Sequence, residues 1–233
     1  MRRAGAVVAV ALLALAAGAA SAAASTTSDQ ELARAGVLRL SDFPAGWKES
    51  RRGSTDDAAI DAQAAKIPSC RRFAAFIKAN RQNPRATSPS FDHANSNVTN
   101  AVSVFPSTEK AIATMATFGD ARVPKCFEQL FTAVFRAQLT KTKSLAKQLV
   151  SVKTHIGLLH GVHIGDQAIV YQGAVNVALK DGTTQTVGLG VISVRVAATL
   201  AGYSYTSDVD ISTALQPAIV ASVARVQNAP PSA

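Results

Sequence analysis

The strongest constraint on the fold is one long alternating stretch centred on a dipeptide. Ala168 to Lys180 and Thr184 to Val196 flank Asp181-Gly182, and Asp-Gly between alternating apolar residues is the strongest short-range signal of a β-hairpin. Val175, Val177 and Leu179 line one face of the first arm. Val187, Leu189 and Val191 line one face of the second. Successive side chains of a strand point to opposite faces, so the hairpin needs a partner layer for its apolar face. Ile192, Val194 and Val196 then carry on at the opposite parity, which predicts a bulge near Gly190.

Further strands are expected on either side. Val150, Val152 and Thr154 alternate with polar neighbours after Leu149, and Ala201-Gly202 is expected to turn the chain into a strand holding Tyr203 and Tyr205. Val187 to Leu200 does not read as a membrane span, being short and interrupted by Arg195.

The covering layer is legible as helices. Pro124 opens a stripe of Phe127, Leu130, Phe131, Val134, Phe135 and Leu139, the spacing of one helix face. Pro106-Ser107-Thr108-Glu109 signals another start, followed by Ile112, Met115 and Phe118. Asp56 or Asp57 is expected to cap a short helix through Ile60, Ala64 and Ile67. Ser69 is expected to cap the next, with Phe73, Phe76 and Ile77 at helical spacing. Ser212 or Thr213 begins a last helix with Leu215, Ile219, Val223 and Val226 inward, Pro217 being placed in its first turn. Asn80 to Ser90 reads as a loop, and Val98, Val102 and Val104 as one face of a strand. The order predicts an α+β fold: a single domain, an antiparallel sheet packed against several helices, with one disulfide.

The N-terminus predicts the compartment. Met1-Arg2-Arg3 is basic, Ala4 to Ala17 is apolar, and Ala20-Ser21-Ala22-Ala23-Ala24 is small throughout, the pattern of a cleaved signal peptide. About fourteen apolar residues fall short of the roughly 20 that a permanent span needs, and no cysteine follows them as in a lipoprotein. The expected divisions are a signal peptide at 1–24, a flexible segment at 25–39, one α+β domain at 40–227 and a disordered tail at 228–233. The protein is expected to act outside the cytoplasm, secreted or in the cell envelope. Without Arg2 and Arg3 the mature chain carries 22 Lys and Arg against 15 Asp and Glu, a net +7.

Cys70 and Cys126 admit a single connectivity. An even count in an exported protein predicts a disulfide between them, the alternative being two unpaired buried thiols. Closing a loop of this length restricts the unfolded chain by about 4 kcal/mol in the loop-entropy model.

Motifs for chemistry are sparse. No G-x-S-x-G, Walker loop or complete G-x-G-x-x-G occurs; Gly188-Leu189-Gly190 runs on into Val191 and Ile192. His155, His160 and His163 lie close together, yet their offsets match neither H-E-x-x-H nor one strand face. They read as turn and strand-end histidines, so no metal and no cofactor is expected. Asp208 and Asp210 end a predicted strand, and capping of the next helix accounts for Asp210. Catalytic residues are expected to be none. The cations fall in loose groups: Lys48, Arg51 and Arg52; Arg71, Arg72, Lys78, Arg81 and Arg85; Lys141, Lys143 and Lys147. Aromatic residues lie on apolar stripes rather than among them, which argues against nucleic acid as a partner. Asn97-Val98-Thr99 fits a glycosylation sequon.

Leu40-x-Asp42-Phe43-Pro44-Ala45-Gly46-Trp47, a cysteine in each of two helical regions, and Ile164-Gly165-Asp166-Gln167-Ala168 before the hairpin together form a pattern running from Leu40 to Val226. It resembles the extracellular sensor-like domain of mycobacterial serine/threonine kinases and its free secreted relatives. One cysteine pair stands here where the kinase sensors have two. The resemblance implies a sheet packed on helices with a central cleft, and a role in binding a ligand. It assigns no ligand-contacting residue of this chain. The function expected is a secreted, non-enzymatic binding or sensor-like protein of the bacterial envelope or medium, taking a small apolar or amphipathic ligand. The alternative is a basic envelope-associating protein that holds anionic wall polymers or lipid head groups.

Overall fold

The computed structural model describes residues 27–50 and 57–229. The expected signal peptide at 1–24, Arg51, Arg52, the cap expected at Asp56 and the end of the expected tail lie outside them. In chain order the elements are α1 (Thr27–Ala35), β1 (Lys48–Ser50), α2 (Asp57–Lys66), α3 (Arg71–Asn80), β2 (Arg85–Thr87), β3 (Ser90–His93), β4 (Ser96–Val104) and α4 (Thr108–Phe118). There follow α5 (Val123–Lys141), α6 (Lys143–Gln148), β5 (Leu149–Leu159), β6 (Gln167–Leu179), β7 (Thr184–Val196), β8 (Thr199–Ser207) and α7 (Ser212–Gln227). Eight strands form one antiparallel sheet in the order β1-β3-β4-β8-β7-β6-β5, with β2 also paired to β4. The architecture is α+β, as the alternation of patterns predicts.

The sheet is covered on both faces, and this explains the parity change in β7. Leu189 and Val191 join Tyr171, Val175, Val152 and Ile156 beneath the α5 stripe of Phe127, Leu130, Phe131, Val134 and Phe135. Ile192 and Val194 face the other way, into a core with Val170, Tyr203, Val98 and Val102 beneath α7. The register runs unbroken through Gly190 in both pairings, so the bulge expected there does not occur. Gly190 is small for another reason: a Cβ on it would stand 2.2 Å from the Tyr205 ring. The register shift lies instead in β5, between Leu149 and Ser151, and leaves Val150 exposed.

Several local expectations are corrected. The hairpin forms around Asp181-Gly182 as expected, its loop Lys180 to Gly182 closed by Leu179 N donating to the Thr183 carbonyl at 2.9 Å. Gly182 takes φ +84° while the Asp181 carboxylate accepts from Thr183 N at 2.9 Å. The turn into β8 falls at Ala197-Ala198, because Ala201 and Gly202 sit inside the strand. The segment expected to be flexible contains α1, and Ala33 within that helix and Leu38 after it are buried. The loop expected at Asn80 to Ser90 contains β2. Pro217 stands in the second turn of α7, since the helix starts at Ser212. Ser69 lies in a short 3-10 turn and donates to Gln129 Oε1 rather than capping α3.

Two ties close the domain. Cys70, at the start of α3, and Cys126, in the first turn of α5, have their sulfurs at bonding distance and Cα atoms 4.8 Å apart. On the other face Arg225 of α7 reaches the Asp42 carboxylate with two donors, each at 2.7 Å. It also donates to the carbonyls of Ala35 and Val37, each at 2.9 Å. The Phe43-Pro44-Ala45-Gly46-Trp47 motif packs in the same core: Phe43 stacks on Trp47 at 4.6 Å and meets Phe91 at 5.0 Å. Gly46 at φ +99° makes that turn, a conformation glycine adopts without steric cost.

Candidate functional site

A cleft of about 430 Å³ opens between the sheet and α7. Its floor is the face of β6, β7 and β8 that looks toward α7, and small residues hollow it out. Gln172, Gly190 and Tyr205 are direct neighbours across the three strands, with Gly188 one step nearer the open end. Tyr205 lies over Gly190, filling the place of the missing side chain, and Gln172 is within hydrogen-bonding reach of its phenol. Val170, Ile192, Ile211, Leu215 and Ile219 make the walls apolar.

The side opposite α7 is the segment between β5 and β6. Val162 and Ile164 turn inward onto the α7-side core, and His163 between them is exposed. The segment is fastened to the sheet by the Ile164-Gly165-Asp166 motif. Asp166 N donates to the Arg195 carbonyl at 2.8 Å. The Asp166 carboxylate accepts from Arg195 Nη1 at 3.0 Å and from Ala197 N at 2.7 Å. Gly165 has φ +62°, and a Cβ there would stand 2.6 Å from the Arg195 carbonyl oxygen, so only glycine fits. The same carboxylate holds Ala197 at φ +48°, which explains a tight turn without glycine or asparagine.

The mouth carries apolar side chains in solvent: Leu159 is 48% exposed and Val209 60%. Its polar edge is built where β8 meets α7. The Asp210 carboxylate accepts from Ser212 N at 2.8 Å. That amide, and after it the Ser212 hydroxyl, hold Asp210 below the ordinary carboxylate range. Burial, and after it the Asp210 charge, push the Tyr205 phenol above its ordinary value. At neutral pH the cleft therefore presents one carboxylate beside a protonated phenol, with the amides of Gln172 and Gln216 nearby.

The residues singled out in the sequence are dispersed. Asp208 accepts from Asn95 Nδ2 at 2.6 Å, whereas Asp210 is the helix-start acceptor expected. His163 borders the cleft, while His155 lies on the edge strand β5 with Nδ1 3.2 Å from Glu128 Oε1. Among the described residues no group of three or more His, Cys, Asp or Glu is arranged to hold a metal, and no helix is long and apolar enough to cross a membrane. Asn97 of the sequon is buried and donates to Ser90 and Asp92. A second depression, about 870 Å³, lies between the outer face of α5 and β5. Lys125, Glu128, Arg136 and Lys153 line it, a grouping that sequence spacing did not reveal.

No protein-family model matches the chain and no curated protein matches it in sequence. Among solved structures it is similar to the extracellular domain of PknH from Mycobacterium tuberculosis. The identity is 13% over 85% of this chain and 96% of that chain, with a TM-score of 0.38. That is the kinase group to which the Leu40–Trp47 segment and the Ile164–Ala168 motif point.

Proposed function

We propose that this protein is an exported, non-enzymatic binding or sensor-like protein of the bacterial envelope or medium, holding a small apolar or amphipathic ligand between the sheet and α7. The observation that carries this reading is the cleft itself. Its volume falls within the ~300–1,000 Å³ range of small-molecule sites, which combine apolar walls with a few placed polar groups. Large apolar side chains in water around the mouth gain from being covered, at about 25 cal/mol per Å².

The test is to fill the floor. Gly188 has an ordinary strand φ, and a Cβ there meets only the Ser207 carbonyl, at 3.1 Å. Gly188→Leu is expected to leave the circular dichroism unchanged and to abolish ligand uptake. Native mass spectrometry of both proteins, purified in low salt from culture medium, checks this. An extra mass carried equally by both would refute a cleft site.

The α5–β5 depression favours a second reading, association with anionic wall polymers or lipid head groups. Lys125, Arg136 and Lys153 share it with a single carboxylate, Glu128, and Lys125 Nζ is 3.6 Å from that carboxylate. Binding to anionic vesicles or wall polymer is then expected to fall steeply between 50 and about 500 mM salt as the charges are screened. Co-sedimentation that is insensitive to salt would rule this reading out.

A further inference from the structure

Resting on the cleft reading, we propose that the ligand is a single-chain amphiphile with an uncharged or cationic polar end, and that the cleft discriminates against anionic ones. The volume sets the size. At about 30 Å³ for each water-sized group, about 430 Å³ accommodates roughly fourteen heavy atoms, one medium-length chain with its head group.

The charge follows from what surrounds the polar edge. Among the described residues no Lys or Arg lines the cleft, although the chain holds 24 of them against 15 Asp and Glu. Arg195 is paired with Asp166 at 3.0 Å and Arg225 with Asp42 at 2.7 Å, and neither is among the residues that line the cleft. A helix N-terminus such as that of α7 would ordinarily attract an anion. Here Asp210 occupies that place, accepting from Ser212 N. An arriving carboxylate or phosphate would lose water, find no cation, and meet a fixed negative charge. A hydroxyl or ammonium group would meet Asp210, the Tyr205 phenol and the amides of Gln172 and Gln216. His163 is exposed on the opposite rim.

The experiment compares dodecanol, dodecylamine and dodecanoate by calorimetric titration below their micellar concentrations. Wild type, Gly188→Leu, Asp210→Asn and His163→Gln are used. The net positive charge of the protein by itself draws dodecanoate in, so a preference against it reports on the cleft. Dodecanol and dodecylamine are expected to bind at least tenfold more tightly than dodecanoate, and none of the three to bind Gly188→Leu. Asp210→Asn should weaken dodecylamine three- to tenfold more than it weakens dodecanol, and His163→Gln should preserve the order. Binding of dodecanoate as tight as that of dodecanol, lost in Gly188→Leu, would overturn the charge selection and leave the cleft reading standing. Three ligands that bind neither wild type nor variants, or bind all of them equally, would overturn the cleft reading and this inference with it. An amine-to-acid ratio unmoved by Asp210→Asn would remove Asp210 from the selection.

Discussion

Arg225→Ala is expected to destabilise the domain by about 3–5 kcal/mol, the range for removing one partner of a buried ion pair. The Asp42 side chain is 6% exposed and that of Arg225 22%. The guanidinium answers both carboxylate oxygens and two backbone carbonyls from the exit of α1. Alanine leaves all of these without their donor, and Asp42 retains only the Arg39 amide, at 2.8 Å. Urea unfolding of the purified variant gives the number. Removing both charges together, as Arg225→Met with Asp42→Leu, should recover most of the loss, because the cost lies in the stranded charge. A loss below about 1 kcal/mol for Arg225→Ala would place the pair among solvent-screened ones.

The second large effect is expected from the cysteines. Replacing both with serine should cost about 4 kcal/mol, the entropy returned to the unfolded chain when a loop of 56 residues is opened. Both sulfurs are fully buried against Phe73, Phe127 and Val123, so two serine hydroxyls in that place add a desolvation cost of their own. Thiol labelling under denaturing, non-reducing conditions should modify neither cysteine. Denaturant midpoints that coincide with and without reductant would show that the bridge contributes nothing. The consequence reaches the site indirectly, since α5 backs the β6–β7 floor from the opposite face.

Much of the framework can be read from the sequence because its signals are local. The α5 stripe, the Ser107 cap of α4, whose hydroxyl accepts from Lys110 N at 3.3 Å, and the hairpin at Lys180 to Gly182 each depend on residues within a few positions of one another. What the sequence hides depends on distant partners. Ala197-Ala198 has no turn composition, and only Asp166, 31 residues away, makes that conformation tolerable. Gly190 imitates a bulge signal because its partner, Tyr205, sits on another strand. The short strands β2 and β3 are too small to show a period and exist through their pairing with β4.

The candidate site divides in the same way. Ile164-Gly165-Asp166 and the capping role of Asp210 are visible as residues. That they enclose one cavity follows only from the strand order β8-β7-β6 and from α7 lying across it. The basic depression is hidden too, since Lys125, Arg136 and Lys153 come from two elements separated by the α5–β5 connection.

The bond from Arg225 to Asp42 spans 183 residues and brings the two ends of the domain side by side. A chain closed in this way is a ring in space with its seam between α1 and α7. Its most distant contacts form last, because the entropy of closing the longest loop must be met before they give anything back. While it is being made, the polypeptide lacks that contact until the last turn of α7 emerges. The cleft shares that helix, so its α7 wall is in place only once that contact can form.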